Sequence, residues 1–138
     1  MTKRFYLDTC IWMDYLEDRN DGLKPLGEFA FQFLRACKRC HCIIIYSEPV
    51  LFELKQFRNQ WEEVKDDFGE ILIEVPVTEG QFHLAKKIAR ERNLPFNDVF
   101  HTIIAKDQKA VIITRDKHFK QLTDLVEIKQ PEEVIFDH

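Results

Sequence analysis

Four acids carry the first chemical suggestion in this sequence. Asp8 follows the apolar run Phe5-Tyr6-Leu7, and Arg115-Asp116 follows Val111-Ile112-Ile113-Thr114. Glu53 lies at the edge of the apolar stripe of Val50-Leu51-Phe52-Glu53-Leu54, and Asp98 stands beside Asn97, a residue suited to cap a helix. Two carboxylates about 4 Å apart repel by roughly 4 kcal/mol at an effective dielectric of about 20. Several gathered in one cleft therefore stay ionised only beside a cation. Donors that are all oxygen suit Mg²⁺ or Mn²⁺ better than zinc. Such an ion lowers the pKa of a bound water and offsets the charge of a phosphodiester transition state. Asp8, Asp116 and Asp98 also have ordinary explanations, since Asp is common just after strands and the helix dipole favours a carboxylate in a first turn. Thr9 and Thr114 could orient ligands or water. Arg115, Lys117 and His118 could touch phosphate, or be solvated loop residues.

The elements that must position these residues are legible from apolar patterning. Residues 5–7 predict a short buried strand, and Ile11, Trp12, Tyr15 and Leu16 then recur at helical spacing over 9–17. Leu26, Phe29, Ala30, Phe33, Leu34 and Cys37 predict a helix over 26–39, and the β-branched run 42–46 a strand buried on both faces. Ser47 is expected to cap the helix that carries Val50, Leu51, Leu54 and Phe57 inward. A further helix is expected over 59–68, a strand over 71–75, and a helix over 78–92 with Phe82, Ala85, Ile88 and Ala89 inside. Asn97 is expected to cap a helix that opens with Asp98. Residues 111–114 predict a strand, 125–128 a weaker one, and 131–136 a last short helix. Strands alternating with helices call for an α/β domain on a mostly parallel, about five-stranded sheet. Ligands bind such sheets at the carboxyl ends of the strands, where Asp8 and Asp116 are placed.

The 138 residues are enough for one ordinary domain, and no linker, repeat or low-complexity segment divides 1–138. A net charge of −4 excludes a global basic field for nucleic acid. A polyanionic substrate would need a local basic patch or bound cations. With only four glycines, phosphate-cradling glycine loops are absent. No apolar run approaches the ~20 residues that cross a bilayer. No basic segment followed by an apolar one opens the chain. A cytoplasmic location without membrane attachment is the expectation, with the four cysteines as free thiols.

Leu7-Asp8-Thr9, Ser47-Glu48-Pro49-Val50-Leu51-Phe52-Glu53-Leu54, Asn97-Asp98 and Ile113-Thr114-Arg115-Asp116-Lys117-His118-Phe119 resemble, in order and near spacing, the four motifs of PIN-domain ribonucleases. The small size resembles the VapC-type toxins of that family. The resemblance covers essentially the whole chain. It implies a three-layer α/β/α fold with helices on both faces of the sheet, and Asp8, Glu53, Asp98 and Asp116 as the catalytic, metal-binding acids. It also implies cleavage of RNA with Mg²⁺ or Mn²⁺, a homodimer, and a cognate antitoxin protein that silences the enzyme. Two other readings stay open: a PIN nuclease of RNA processing or decay without an antitoxin, and an inactive RNA-binding or scaffold module. This sequence departs from the family pattern at His118, where many relatives carry an acid. It departs again at Val99-Phe100-His101, where small residues usually follow the acid.

Other clusters compete for notice. Cys37-Lys38-Arg39-Cys40-His41 matches a haem-attachment pattern. Yet Cys37 continues a helical stripe and Cys42 opens a strand, so small apolar packing residues are expected rather than zinc or haem ligands. His83 and His101 are expected as packing or surface residues. Trp12, Tyr15, Phe52 and Trp61 fit the stripes less easily and are expected at an interface with a second copy or a partner.

Overall fold

The computed structural model describes residues 2–135. Five strands form one sheet: β1 (Arg4–Leu7), β2 (Ile43–Ser47), β3 (Leu72–Val75), β4 (Val111–Ile113) and β5 (Ile128–Lys129). Their order is β3-β2-β1-β4-β5, and every pairing is parallel. Central strands of a parallel sheet are covered on both faces. This is why Phe5, Tyr6, Leu7, Ile44, Ile45, Ile112 and Ile113 are all buried.

Helices α1 (Thr9–Glu17), α2 (Leu26–Cys40), α3 (Glu48–Glu53), α4 (Arg58–Phe68), α5 (Glu79–Arg92), α6 (Phe96–Asp107) and α7 (Pro131–Ile135) connect and cover the strands on both sides. Short 3₁₀ segments run over Lys55–Phe57 and Lys117–Leu122. The chain lays down β1, β2 and β3 outward in one direction, then returns to place β4 on the other side of β1. That reversal makes a switch point between β1 and β4, where the diverging connections leave a crevice.

Several expectations are corrected. The weak strand expected over 125–128 is displaced to Ile128–Lys129. The N–H groups of Leu125 and Val126 bond to the Leu122 carbonyl, closing a turn before the ladder resumes. Asn97 does not cap α6. The Val99 N–H reaches the Pro95 carbonyl, so the helix begins at Phe96 with Pro95 before it. Ser47 precedes α3 but gives it no side-chain cap. The helix expected to begin at Thr78 begins at Glu79, with Thr78 and Gln81 forming a reciprocal capping box.

Trp12 and Trp61 are not free for an interface. They are buried, meet edge-to-face at 5.0 Å, and Trp61 also meets Tyr46 at 5.1 Å. Phe52 is 67% exposed, and Phe82, expected inside, is partly exposed. Cys37 and Cys42 lie in the core, Cys40 is exposed, and His41 takes a left-handed conformation that ends α2. Phe136, expected in the last helix, falls outside the described residues.

Candidate metal centre at the sheet switch point

Asp8 enters the crevice directly from β1. Its extended backbone lets one carboxylate oxygen accept the Thr9 N–H at 2.9 Å, so the residue also caps α1. The other oxygen accepts the Thr114 hydroxyl at 2.9 Å and the Cys10 thiol at 3.1 Å. The buried acid is thus held by three donors, as a buried charge requires. Burial and the nearby Asp8 charge push the Cys10 thiol up, which keeps its proton available for that bond. Thr114 also accepts the Asp116 N–H at 3.1 Å, so one hydroxyl links the acids that follow β1 and β4.

Asp116 caps the 3₁₀ turn after β4, accepting the His118 N–H at 2.9 Å. The His118 ring then folds back. Its Nδ1 lies 2.9 Å from Asp116 and 3.4 Å from Asp98. Ligand atoms of Asp98, Asp116 and His118 all lie within 4.8 Å of one another. Asp98 occupies the first turn of α6, where the helix dipole favours its charge. Its pKa is nonetheless pushed up to about 6, first by burial and then by Asp116 and Asp8, with His118 and His101 opposing. Burial and the two neighbouring acids together outweigh the two imidazoles.

Glu53 ends α3 and lies outside that ligand cluster. Its carboxylate receives a 2.8 Å hydrogen bond from Nε2 of the buried His101, one turn beyond Asp98 on α6. Sequence patterning placed His101 as packing or surface, and no local spacing signals this bond, because the partners are 48 residues apart. Beside Glu53 opens a trench of about 610 Å³ whose apolar lining includes Phe52, Phe82, Phe96 and Phe100.

The phosphate-contact candidates fall in different settings. Lys117 and His118 are exposed. Arg115 is mostly buried and paired with Glu132 and with Asp14, the latter at 3.5 Å. Burial raises the Glu132 carboxyl, but the Arg115 hydrogen bond and charge overcome it and hold the group below its usual range. Thr9 Oγ1 is buried without a hydrogen-bond partner among the described residues, and such an orphan calls for a water or an ion. Carboxylate oxygens converging with one imidazole nitrogen, an up-shifted Asp98 and an orphaned hydroxyl beside Asp8 fit a divalent cation.

An α/β protein with acids from separate segments collected at a parallel-sheet switch point is thus defined by fold and site together. Residues 5–125 match the model of the PIN domain family, and the chain belongs to that family. Among solved structures, it is similar to VapBC2 from Rickettsia felis bound to a promoter DNA fragment. The TM-score is 0.68 at 17% identity, covering 92% of this chain and 98% of that one. It is also similar to FitAcB from Neisseria gonorrhoeae, with a TM-score of 0.60 at 17% identity, covering 93% and 98%. At these identities the likeness concerns the fold. No curated protein matches the chain in sequence.

Proposed function

We propose that this protein is a metal-dependent endoribonuclease of the toxin type, controlled by a cognate antitoxin protein. The observation that carries the reading is a ligand cluster of two acids and a histidine at the switch point, with Asp8 hydrogen-bonded to its edge and Glu53 bonded to the helix that carries Asp98. Asp98 and Asp116 share that cluster with His118, Asp8 is joined to Asp116 through Thr114, and Glu53 bonds to His101.

Asp98 and Asp116 would hold Mg²⁺ or Mn²⁺, with Asp8 and Glu53 completing the negative cradle. When bound, the ion supplies Lewis acidity and a water of lowered pKa for phosphodiester hydrolysis. Asp8 keeps its carboxylate fixed through three donors, so little reorganisation is needed as the reaction proceeds. Exposed Lys117 stands near enough in sequence to Asp116 to contact RNA phosphate, while Arg115 braces the loop through its ion pairs. The arrangement lets an acidic chain hold a polyanion, because the cation lies between them.

The toxin reading draws support from the fold's likeness to VapBC2 and FitAcB, and the trench beside Glu53 suits an apolar partner segment. A homodimer in the cytoplasm belongs to the same reading, with exposed Phe52 at or near an interface. None of the helices among the described residues is long and apolar enough to cross a membrane.

The test is cleavage of single-stranded RNA by the purified chain in Mn²⁺ or Mg²⁺, with and without Asp8→Asn. The parent is expected to cut only with metal, and the variant to keep its fold and lose cleavage. A variant that cuts as fast as the parent in saturating Mn²⁺ would remove Asp8 from the chemistry and favour an RNA-binding module.

A further inference from the structure

His101 is a buried polar group that the proposed reaction leaves unused. It is 1% exposed on a helix whose other inward positions are mostly apolar. Burying an imidazole costs free energy unless both ring nitrogens find partners. Both do. Nε2 lies 2.8 Å from Glu53 Oε1, and Nδ1 lies 2.7 Å from the Tyr6 hydroxyl. The Tyr6 oxygen lies 2.6 Å from Ser47 Oγ. The chain Ser47–Tyr6–His101–Glu53 thus runs from β2 through β1 and α6 to the end of α3.

The directions follow from the donors available. A carboxylate only accepts, so Nε2 donates to Glu53. With one ring proton on Nε2, Nδ1 is the acceptor for the Tyr6 hydroxyl, and Ser47 then donates to the Tyr6 oxygen. Every member is satisfied, and the ring is fixed at both ends. Glu53 differs from Asp8 in this respect. It is the last residue of a six-residue helix, its side chain is about one-third exposed, and His101 is its one hydrogen-bond partner among the described residues. Without that bond its carboxylate is free to turn into solvent or into the apolar trench.

We infer that His101, fixed by Tyr6 and Ser47, is a positioning residue that holds the Glu53 carboxylate toward the metal centre. The inference rests on the reading of Glu53 as one of the metal-holding acids. Hydrogen-bond partners behind metal-holding side chains commonly govern affinity by about 10–100-fold. The same His101–Glu53 bond also joins α6 to α3. A purely structural tie would move stability and leave metal affinity unchanged.

The experiment measures Mn²⁺ binding to the metal-free full chain by calorimetry and by the electron spin resonance of free Mn²⁺. The variants are H101M, H101Q, Y6F, E53Q and H101M/E53Q. H101M fills the volume but offers no donor and is expected to weaken Mn²⁺ roughly tenfold. H101Q places an amide nitrogen near the former Nε2 and is expected to recover most of the loss. Y6F frees one end of the ring and is expected to fall between H101M and the parent. E53Q is expected to weaken binding, and the double variant to be no weaker than E53Q alone, since His101 acts only through Glu53.

Parent-like binding by H101M beside weakened E53Q would overturn the positioning role while leaving Glu53 a metal-holding acid. Losses that add in the double variant would overturn it as well. Parent-like binding by E53Q would remove Glu53 from the metal centre and the inference with it. Should H101M not fold, H101Q and Y6F decide: weaker binding by H101Q than by Y6F would count against the scheme.

Discussion

Thr114 Oγ1 lies 2.9 Å from Asp8 Oδ2, joining the end of β4 to the end of β1 across the switch point. The same oxygen accepts the Asp116 N–H, so one buried hydroxyl sets the spacing of two acids that do not bond to each other. Thr114→Val keeps the shape and deletes this link. Asp8 retains the Thr9 and Cys10 donors, but a buried acceptor and a backbone donor lose a partner, at about 1–3 kcal/mol. The expected outcome is a lower melting temperature and RNA cleavage reduced about 10–100-fold, as for partners behind a metal centre. Thermal unfolding and a cleavage time course check both. Parent-like cleavage would mean that the acids find their spacing without the tether.

Gly27 makes a different kind of contact. A Cβ there would sit 2.5 Å from Asp18 Oδ1, 2.6 Å from Asp18 Cα and 2.8 Å from the Asp14 carbonyl. Two opposing effects meet in Gly27→Ala. Alanine is the better helix former by about 1 kcal/mol. Overpacking against backbone costs about 1–3 kcal/mol. Because two of the three close atoms belong to the backbone, the clash is expected to win. Chemical denaturation should show a net loss of stability, whereas a gain would mean that the start of α2 can shift away from the end of α1 at little cost.

Asp14 is an acid that belongs to the frame. It is buried beside Arg115, with Arg19 at 4.0 Å. Burial raises its pKa, and the two arginines oppose that rise. Asp14→Asn removes one charge partner of Arg115, which keeps Glu132. The loss of stability should fall below the roughly 3–5 kcal/mol of a fully broken buried pair. Cleavage at saturating metal and low temperature should stay within about threefold of the parent. A much larger drop, with the fold intact, would place Asp14 in the site.

The sequence made the central strands legible because β1, β2 and β4 are buried on both faces and read as unbroken apolar runs. It also placed Asp8 and Asp116 together, since a parallel sheet collects the carboxyl ends of its strands. The 125–128 segment misled because apolar patterning reports burial rather than ladder pairing. Val126 is buried while its backbone turns back to Leu122. Asn97 misled because the preference for Asn at a cap was overridden by the fixed backbone of Pro95. Trp12 and Trp61 looked surplus because each is the other's partner, and no local spacing joins residues of two separate helices. The Tyr6–His101 bond spans 95 positions, so the group behind Glu53 became visible only once α6 was laid beside β1.

Asp98 connects stability to pH in a direction that separates its two roles. Its pKa rises from 3.8 to about 6 on folding, so between these values the folded metal-free protein binds more protons than the unfolded chain. Stability is then fully present near pH 4 and is lost as pH rises through about 6. At 1.36 kcal/mol per unit, the effect at pH 7 is on the order of 1–3 kcal/mol. Asp98→Asn carries no charge at any of these pH values. It is therefore expected to match the parent near pH 4 and to exceed it at pH 7 in chelator. Saturating Mn²⁺ should reverse that order, because an ion held only by the folded parent stabilises it by mass action. The parent's Mn²⁺ affinity should likewise fall as pH drops below about 6, when Asp98 takes up its proton. Unfolding curves from pH 4 to 8, with and without Mn²⁺, test the crossing. A variant less stable than the parent in chelator at pH 7 would show that Asp98 is structurally required and not penalised by burial and its acidic neighbours.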